Sequence, residues 1–448
     1  MLFQFSIYGF LKNQRYFDPF VMLFFLQVLR EDFFKVGLLI GYREVLINIF
    51  EVPSGAIADL YGRRRCMMFS FCAYIVSFTI FAFSSVLWHL FVGMTLFALG
   101  DAFRTGTHKA MIFEYLRHEG RADEKTRYYG TTRSWSKMGS ALSVIIAAGL
   151  VFVVAAAGAG SDLEVYRWLF LACLLPYCMG LMNFVFYPKY LDGTDGQRVP
   201  LVRIFTHLLG VARDSVRSAG LRGLLVESMG YEGLYKVAKD YLQPLLRTAA
   251  LTLPALAGLQ GIQKTAGLIL VVYVALHLLE SFSSRRSDAV RRKLGGEEPG
   301  ARFLWRLSLI VFALITMGLA MHCCLQSAAL VGLTVAIVGF LALAVLQNLW
   351  RPLHMARFDT FGDARAGATI LSVESQAKSL SAAMFAPLLG RAVNAIRDSD
   401  FLRAEHAEFI PVALAGLIVA AGVLAFRRHT PAGESSDGGS SPPAEGDV

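Results

Sequence analysis

Charge is what this chain has least of. Only 17% of its 448 residues are Asp, Glu, Lys or Arg, against 55% hydrophobic, and the mean hydropathy is +0.51. A water-soluble domain carries about a quarter charged residues, so a soluble fold is excluded as the first expectation. Cysteine is also scarce. The six (Cys66, Cys72, Cys173, Cys178, Cys323 and Cys324) lie in or beside apolar blocks and none forms a C-x-x-C pair, so neither a disulfide framework nor a zinc site is expected. Walker-type glycine loops, H-E-x-x-H and G-x-S-x-G are missing. With them goes the chemistry of bound nucleotide, catalytic zinc and nucleophilic serine, and no cofactor or metal is expected. The N-terminus has no basic leader and no small-residue cleavage site, so the first apolar segment is expected to be retained.

What is present is apolar residues in long blocks. The clearest are 66–83, 141–157, 168–186, 265–279, 307–321, 328–346 and 410–426. A bilayer-crossing helix needs about 20 such residues. The pattern predicts an all-α integral membrane protein of about twelve spans, at 4–29, 36–60, 66–85, 87–116, 128–157, 165–187, 223–247, 258–284, 303–321, 326–350, 367–390 and 408–426. The formal charge of +9 calls for no nucleic acid, because Lys and Arg collect in cytoplasmic loops. Alternate joints hold Arg63, Arg64 and Arg65; Arg117, Arg121, Lys125 and Arg127; Lys189 through Arg222; and Arg285, Arg286, Arg291, Arg292 and Lys293. The intervening joints at 84–86, 158–163 and 322–325 hold no Lys or Arg. Both termini are therefore expected in the cytoplasm, with the chain a multi-pass protein of the plasma (inner) membrane. Within 189–221, Leu201, Ile204, Phe205, Leu208 and Val211 recur at helical spacing, which predicts an amphipathic helix on the membrane surface. Residues 429–448, rich in Gly, Ser, Pro and acid, are expected to form a disordered tail.

The chain repeats itself. "SWSKMGSA" from Ser134 parallels "SQAKSLSA" from Ser375, aligning Lys137 with Lys378. "GFLKNQRYFDP" from Gly9 parallels "GLYKVAKDYLQP" from Gly233. Both matches fit one offset of six spans, so two six-helix bundles are expected, at 1–188 and 222–428, joined by the 189–221 linker. Parallel repeats place a substrate site near the midplane between them.

In the second span Gly37, Gly41, Glu44, Asn48, Glu51, Gly55, Asp59 and Gly62 follow at steps of three or four and share one helical face. That small, polar face suits a helix rather than lipid. The eleventh span offers Ala368, Ser372, Ser375, Ser379, Ala382 and Ala386 as a matching stripe. The face ends in "GAIADLYGRRR". Gly55-x-x-x-Asp59-x-x-Gly62-Arg63-Arg64 resembles the signature between the second and third helices of the major facilitator superfamily. The resemblance implies two pseudo-symmetric six-helix bundles, alternating access, and a cytoplasmic gating motif of Gly55, Asp59, Gly62, Arg63 and Arg64. Leu60 stands where a basic residue is common. The proline-glycine motif of antiporters is missing from 137–150, which speaks against antiport.

Intramembrane charges are costly, about 2.5–3.5 kcal/mol each on insertion scales, unless they face water or one another. This chain has many. Lys12, Arg15 and Asp18 in the first span, and Asp101, Arg104 and His108 in the fourth, are each spaced to share a face. Arg15, Arg104, Arg133, Lys137, Lys236, Lys239 and Lys378 are the candidate substrate-binding residues. Asp18, Glu44, Glu51, Glu232 and Glu374 are the candidate proton carriers. The expected function is secondary transport of a small solute, anionic or zwitterionic because bases outnumber acids in this set, by a monomer in the bilayer with a coupling ion, most simply the proton. Drug or metabolite efflux, a membrane-embedded enzyme and a non-transporting sensor are the alternatives. The missing catalytic motifs argue against the enzyme.

Overall fold

The computed structural model describes residues 1–121, 124–158, 160–192, 206, 210–213, 215–253, 256–325, 328–359, 367–399 and 407–429. Helices α1 (Leu2–Leu11), α2 (Val21–Val28), α3 (Phe33–Tyr61), α4 (Arg63–Phe83), α5 (Leu87–Arg104), α6 (Thr107–His118), α7 (Lys125–Ala156) and α8 (Asp162–Val185) build the first half. The second half holds α9 (Ala219–Ser228), α10 (Leu234–Asp240), α11 (Leu242–Thr252), α12 (Gly261–Lys293), α13 (Glu297–Cys324), α14 (Ala329–Asp359), α15 (Gly367–Arg397) and α16 (Ile410–His429). Among the described residues, eight helices are each long and apolar enough to cross a membrane: α4, α7, α8 and α12 to α16. The other spans, α1–α2, α3, α5–α6 and α9–α11, are polar or broken.

The breaks correct three expected spans. The first, expected over 4–29, stops at Leu11 and restarts through a short 3-10 turn at Asp18–Phe20. Pro19 supplies no N–H and disfavours a helical Asp18, and the preceding run Lys12-Asn13-Gln14-Arg15 is polar. Unwound backbone survives at membrane depth only where it is buried in protein or lines a wet cavity. Here its groups find partners. Tyr177 donates to the Lys12 carbonyl at 2.8 Å, and the Tyr16 N–H donates to Cys173 Sγ at 3.2 Å. From the other half Gln243 donates to the Asp18 carbonyl and accepts from the Met22 N–H, both at 2.9 Å. The fourth span breaks at Gly106, whose φ of +80° suits glycine. The residues beyond Gly106 therefore rotate away: His108, in the first turn of α6, is buried and stacks on Tyr8 at 3.8 Å instead of sharing a face with Asp101 and Arg104. The seventh span carries a π-turn at Met229–Gly233 and a second break at Tyr241. Lys12, likewise, stands over the Tyr8 ring at 5.6 Å.

The repeat is visible in the packing. A Cβ on Gly9 would meet the Thr132 carbonyl of α7, and Ser136 donates to the Gly9 carbonyl at 3.0 Å. Six spans on, a Cβ on Gly233 would run into Ser381 of α15, and Ser381 donates to the Met229 carbonyl at 3.0 Å. First packs on fifth, and seventh on eleventh, through glycine and serine.

The halves meet along α3 with α15 and α7 with α12. The expected pairing of small-residue stripes is present at one end of α3. Cβ atoms on Gly37 and Gly41 would fall on the backbone carbonyls of Ala386 and Ala383, and one on Gly390 on that of Phe33. Asn394 accepts from the Phe33 N–H at 3.0 Å and donates to Asp32, which caps α3 through the Lys35 N–H. Partial burial works to raise the Asp32 carboxyl, but the hydrogen bonds from Lys35 and Asn394 outweigh it and hold the group below its usual value. Arg397 donates to the Glu31 carbonyl and Arg247 pairs with the Glu31 side chain at 2.8 Å. Toward the other end of α3 the contact is lost, and a Cβ on Gly55 would meet nothing within 4 Å. Gly55 is thus not a close-approach glycine in this state.

Gly37→Ala puts a methyl against unyielding backbone. Its expected result is an opened α3–α15 seam, read as increased labelling of a cysteine placed at Phe25 in a cysteine-depleted background. Labelling equal to that of the parent would show that the seam is not closed by this contact.

Candidate functional site

Between the two halves lies a cavity of about 830 Å³. It is lined by the broken first span, α3, α4, α5, α7, the broken seventh span, α12, α14 and α15. Of the expected binding residues, Arg15, Arg104, Lys137, Lys236, Lys239 and Lys378 line it; Arg133, one turn before Lys137 on α7, is exposed outside it. Of the expected acids, Asp18, Glu44 and Glu232 line it, while Glu51 and Glu374 do not. The candidate binding and proton-carrying sets left out Arg43, Asp101, Asp240, His277 and Glu280, all of them lining residues. Each is a charged or titratable group within a span, which was the available signal; only the fold shows that they converge.

With these included, the described lining holds seven basic residues and six acidic ones, so the expected surplus of bases nearly vanishes. Most charges are paired. Asp101 accepts from Arg104 at 3.0 Å and from Tyr74, and pairs with Arg15 at 3.4 Å; Arg15 also donates to Tyr177 at 2.7 Å. The Arg15 guanidinium lies over the Tyr74 and Phe97 rings at 5.0 and 4.9 Å, an arrangement that holds a cation with little water. Glu44, fully buried, accepts from Arg43 at 2.8 Å with one oxygen and from Lys236 of the opposite half at 2.6 Å with the other. Glu232 pairs with Arg351 at 3.0 Å and Lys378 at 3.3 Å, and Glu280 with Lys239 at 3.3 Å. The side chains of Asp18, Asp240 and Lys137 take no hydrogen bond or ion pair among the described residues, and Asp18 and Lys137 are exposed to the cavity. These three line the cavity with charge of both signs that is not held in a close ion pair.

The glycine-arginine joint is built within the first half. Gly62 has a φ of +99°, and a Cβ there would strike the Asp192 carboxylate. That carboxylate accepts from the Arg64 N–H at 2.9 Å. The Arg64 guanidinium donates to the Tyr187 carbonyl at 2.8 Å, and Arg63 pairs with Glu114 at 3.5 Å. The side chains of Asp59 and Leu60 lie outside the described residues, as do most of the expected surface helix at 201–211 and the tail after 429. Val211 is described, and packs beside a small core of Leu221, Leu224, Phe358 and Ile370.

A helical membrane protein with a charged central cavity between two similar halves has the layout of a carrier, and comparison with known proteins supplies the family. The family model described as Major Facilitator Superfamily matches residues 13–386. The chain belongs to the Major Facilitator Superfamily, as a transporter and not an enzyme. A crystal structure of the nucleoside transporter NupG superposes with a TM-score of 0.70 at 10% identity, covering 96% of this chain and 99% of that one. A crystal structure of a D-xylose-proton symporter gives 0.65 at 12% identity, covering 95% and 96%. At such identity the likeness is one of fold. In sequence, the chain is 28% identical over 94 residues to the tetracycline resistance protein, class H, of Pasteurella multocida, an alignment covering 21% of this chain and 22% of that relative. The chain thus matches about a fifth of the length of that relative.

Proposed function

We propose that this protein moves a small zwitterionic or anionic solute across the cytoplasmic membrane by alternating access, coupled to protons. The observation that carries this is the cavity itself: both halves line it, and it holds charges of both signs outside the close ion pairs, Lys137 on one side of the balance and Asp18 and Asp240 on the other. The zwitterion is favoured because the lining is nearly balanced. With the basic joints inside, both termini are cytoplasmic. The sealed α3–α15 end then faces outward, and the structure is the inward-open state. The halves, 1–188 and 222–428, rock about the cavity as units joined by 189–221, and the gating motif at Gly55, Asp59, Gly62, Arg63 and Arg64 closes the inner end in the opposite state. Outward movement of the solute is the second reading, prompted by the tetracycline-resistance relative.

The test is flux into liposomes containing the purified protein, with a pH gradient imposed and a panel of amino acids, organic acids and lipophilic cations. Gradient-driven movement of a zwitterion or anion, abolished by a protonophore, is expected. Lys137→Gln should weaken its binding about tenfold or more, the worth of a charge-assisted hydrogen bond, with no change in melting temperature, because Lys137 holds nothing in place. Movement of lipophilic cations alone would overturn the substrate class.

A further inference from the structure

Behind the cavity wall of the second half lies a buried polar chain that substrate contact does not explain. Glu227, Ser228, His354 and Glu374 are each at most 1% exposed. Ser228 donates to Glu374 Oε1 at 2.8 Å and lies 2.7 Å from His354 Nε2. A hydroxyl has one proton to give. With it committed to the carboxylate, His354 Nε2 is the donor to Ser228 Oγ. The other ring nitrogen, Nδ1, then accepts from Arg357 at 3.3 Å. Glu227 Oε2 stands 3.9 Å from that same Nδ1. The imidazole is clamped face to face with Trp350 at 4.0 Å. The charged groups around the chain come from every neighbouring element. Arg351 meets Glu374 at 2.6 Å, and Lys378 lies 4.0 Å from it. Arg357 meets Glu227 at 2.8 Å and, beyond it, Glu298 of α13 at 2.9 Å. Trp305 donates to Glu227 at 3.3 Å.

We propose that Glu374, Ser228, His354 and Glu227 form a proton relay inside the second half, carrying one proton from the cavity side to the loop side. It rests on the proton-coupled transport proposed above, and names the path that coupling takes. The cavity end is reached through Arg351, which bridges Glu374 to the lining residue Glu232. The loop end is reached through Arg357, which bridges Glu227 to the partly exposed Glu298. A proton that loads Glu374 reverses its bond to Ser228, and Ser228 then donates to His354 Nε2, which requires the Nδ1–H tautomer. In the transfer three protons each move one place. Glu374 gives its proton to Ser228 Oγ, Ser228 gives its own to Nε2, and Nδ1 gives its own to Glu227. Three bonds to hydrogen break and three form; the net change is a carboxylate at 374 and a carboxylic acid at 227. The last hop must shorten by about 1 Å to reach hydrogen-bond length. Arg357 holds both Nδ1 and Glu227 apart, so the relay passes a proton only when that arginine shifts. A wire that conducted continuously would short-circuit the gradient; this one has a gate.

The experiment is time-resolved infrared spectroscopy of the purified protein in liposomes, jumped from about pH 8 to about pH 5, across the range where imidazole changes charge. It needs no solute. The wild type is expected to show the carbonyl stretch of buried carboxylic acid in two components, one lost in Glu374→Gln and a slower one lost in Glu227→Gln. Ser228→Ala should keep the first and slow the second about a hundredfold or more, and Ser228→Thr, which restores the hydroxyl, should recover the rate. Melting curves identify any variant that fails to fold, and the Ala–Thr contrast stands on its own. An unchanged Glu227 component in Ser228→Ala, or no buried-acid band in the wild type, overturns the relay. Proton-driven flux in the wild type with an unchanged spectrum in Ser228→Ala would sink the relay and leave transport standing. Relay kinetics without proton-driven flux would do the reverse.

Discussion

Arg357→Met is expected to destabilise the protein by about 3–5 kcal/mol, the cost of stripping one partner from a buried ion pair. Arg357 donates to both oxygens of Glu227, at 2.8 and 3.0 Å, and Glu227 is 1% exposed. Once the guanidinium is gone, the buried carboxylate keeps the Trp305 N–H but loses both of its charge-assisted bonds from Arg357. Replacing both partners with apolar residues, Glu227→Leu with Arg357→Met, removes the desolvated charge together with its counter-ion and should recover most of the loss. Denaturant titration of the single and double variants in detergent reads both effects. A single variant within 1 kcal/mol of the parent would mean that water reaches Glu227, and that the pair contributes little.

The second large effect is expected where one side chain ties the two halves together inside the cavity. Glu44 has no exposure, and its Oε2 is 2.6 Å from Lys236 of the opposite half. Rocking the halves must stretch this contact, so it weights the equilibrium toward the state described here. Lys236→Met should shift that balance by about 1–3 kcal/mol, roughly 5- to 150-fold in population, and Glu44→Gln should do much the same. The double variant should add little to either, because one interaction is removed twice. Spin-label distances across the Gly37–Ala386 seam, with turnover measured beside them, report the shift. Additive effects of the two substitutions would show that Glu44 and Lys236 act through separate partners. In that event Arg43, which also holds Glu44 at 2.8 Å, carries the larger share.

Hydropathy finds the spans that lipid touches and misreads those that it does not. The eight helices apolar enough to cross a membrane include α4, α8, α13 and α16, where unbroken runs of apolar residues leave no other solution. The first, second, fourth and seventh spans fail that test because one face of each looks onto charge and water. Their charges announced a wet interior, and the membership of the site was partly legible for that reason: Arg15, Asp18, Glu44 and Lys236 were singled out and do line the cavity. Helical spacing then misled where the helix ends early. A three-residue step places Lys12 beside Arg15 only while the helix continues, and it stops at Leu11.

By itself, then, the sequence determined the class of solvent, the places of the long apolar spans, the repeated motifs and the small-residue seam. All of these follow from local composition and from spacing along regular helices, which the bilayer enforces by forbidding unpaired backbone. Only the tertiary structure decided which charges neutralise which. Glu374 and Glu44 are both acids in mid-span, yet one is sealed behind Arg351 and Ser228 and the other bridges the halves through Lys236. That difference depends on where a helix breaks and how it rotates against its neighbours. Those are properties of contacts between residues hundreds of positions apart, such as Gln243 with the Asp18 carbonyl, and spacing along one helix does not encode them.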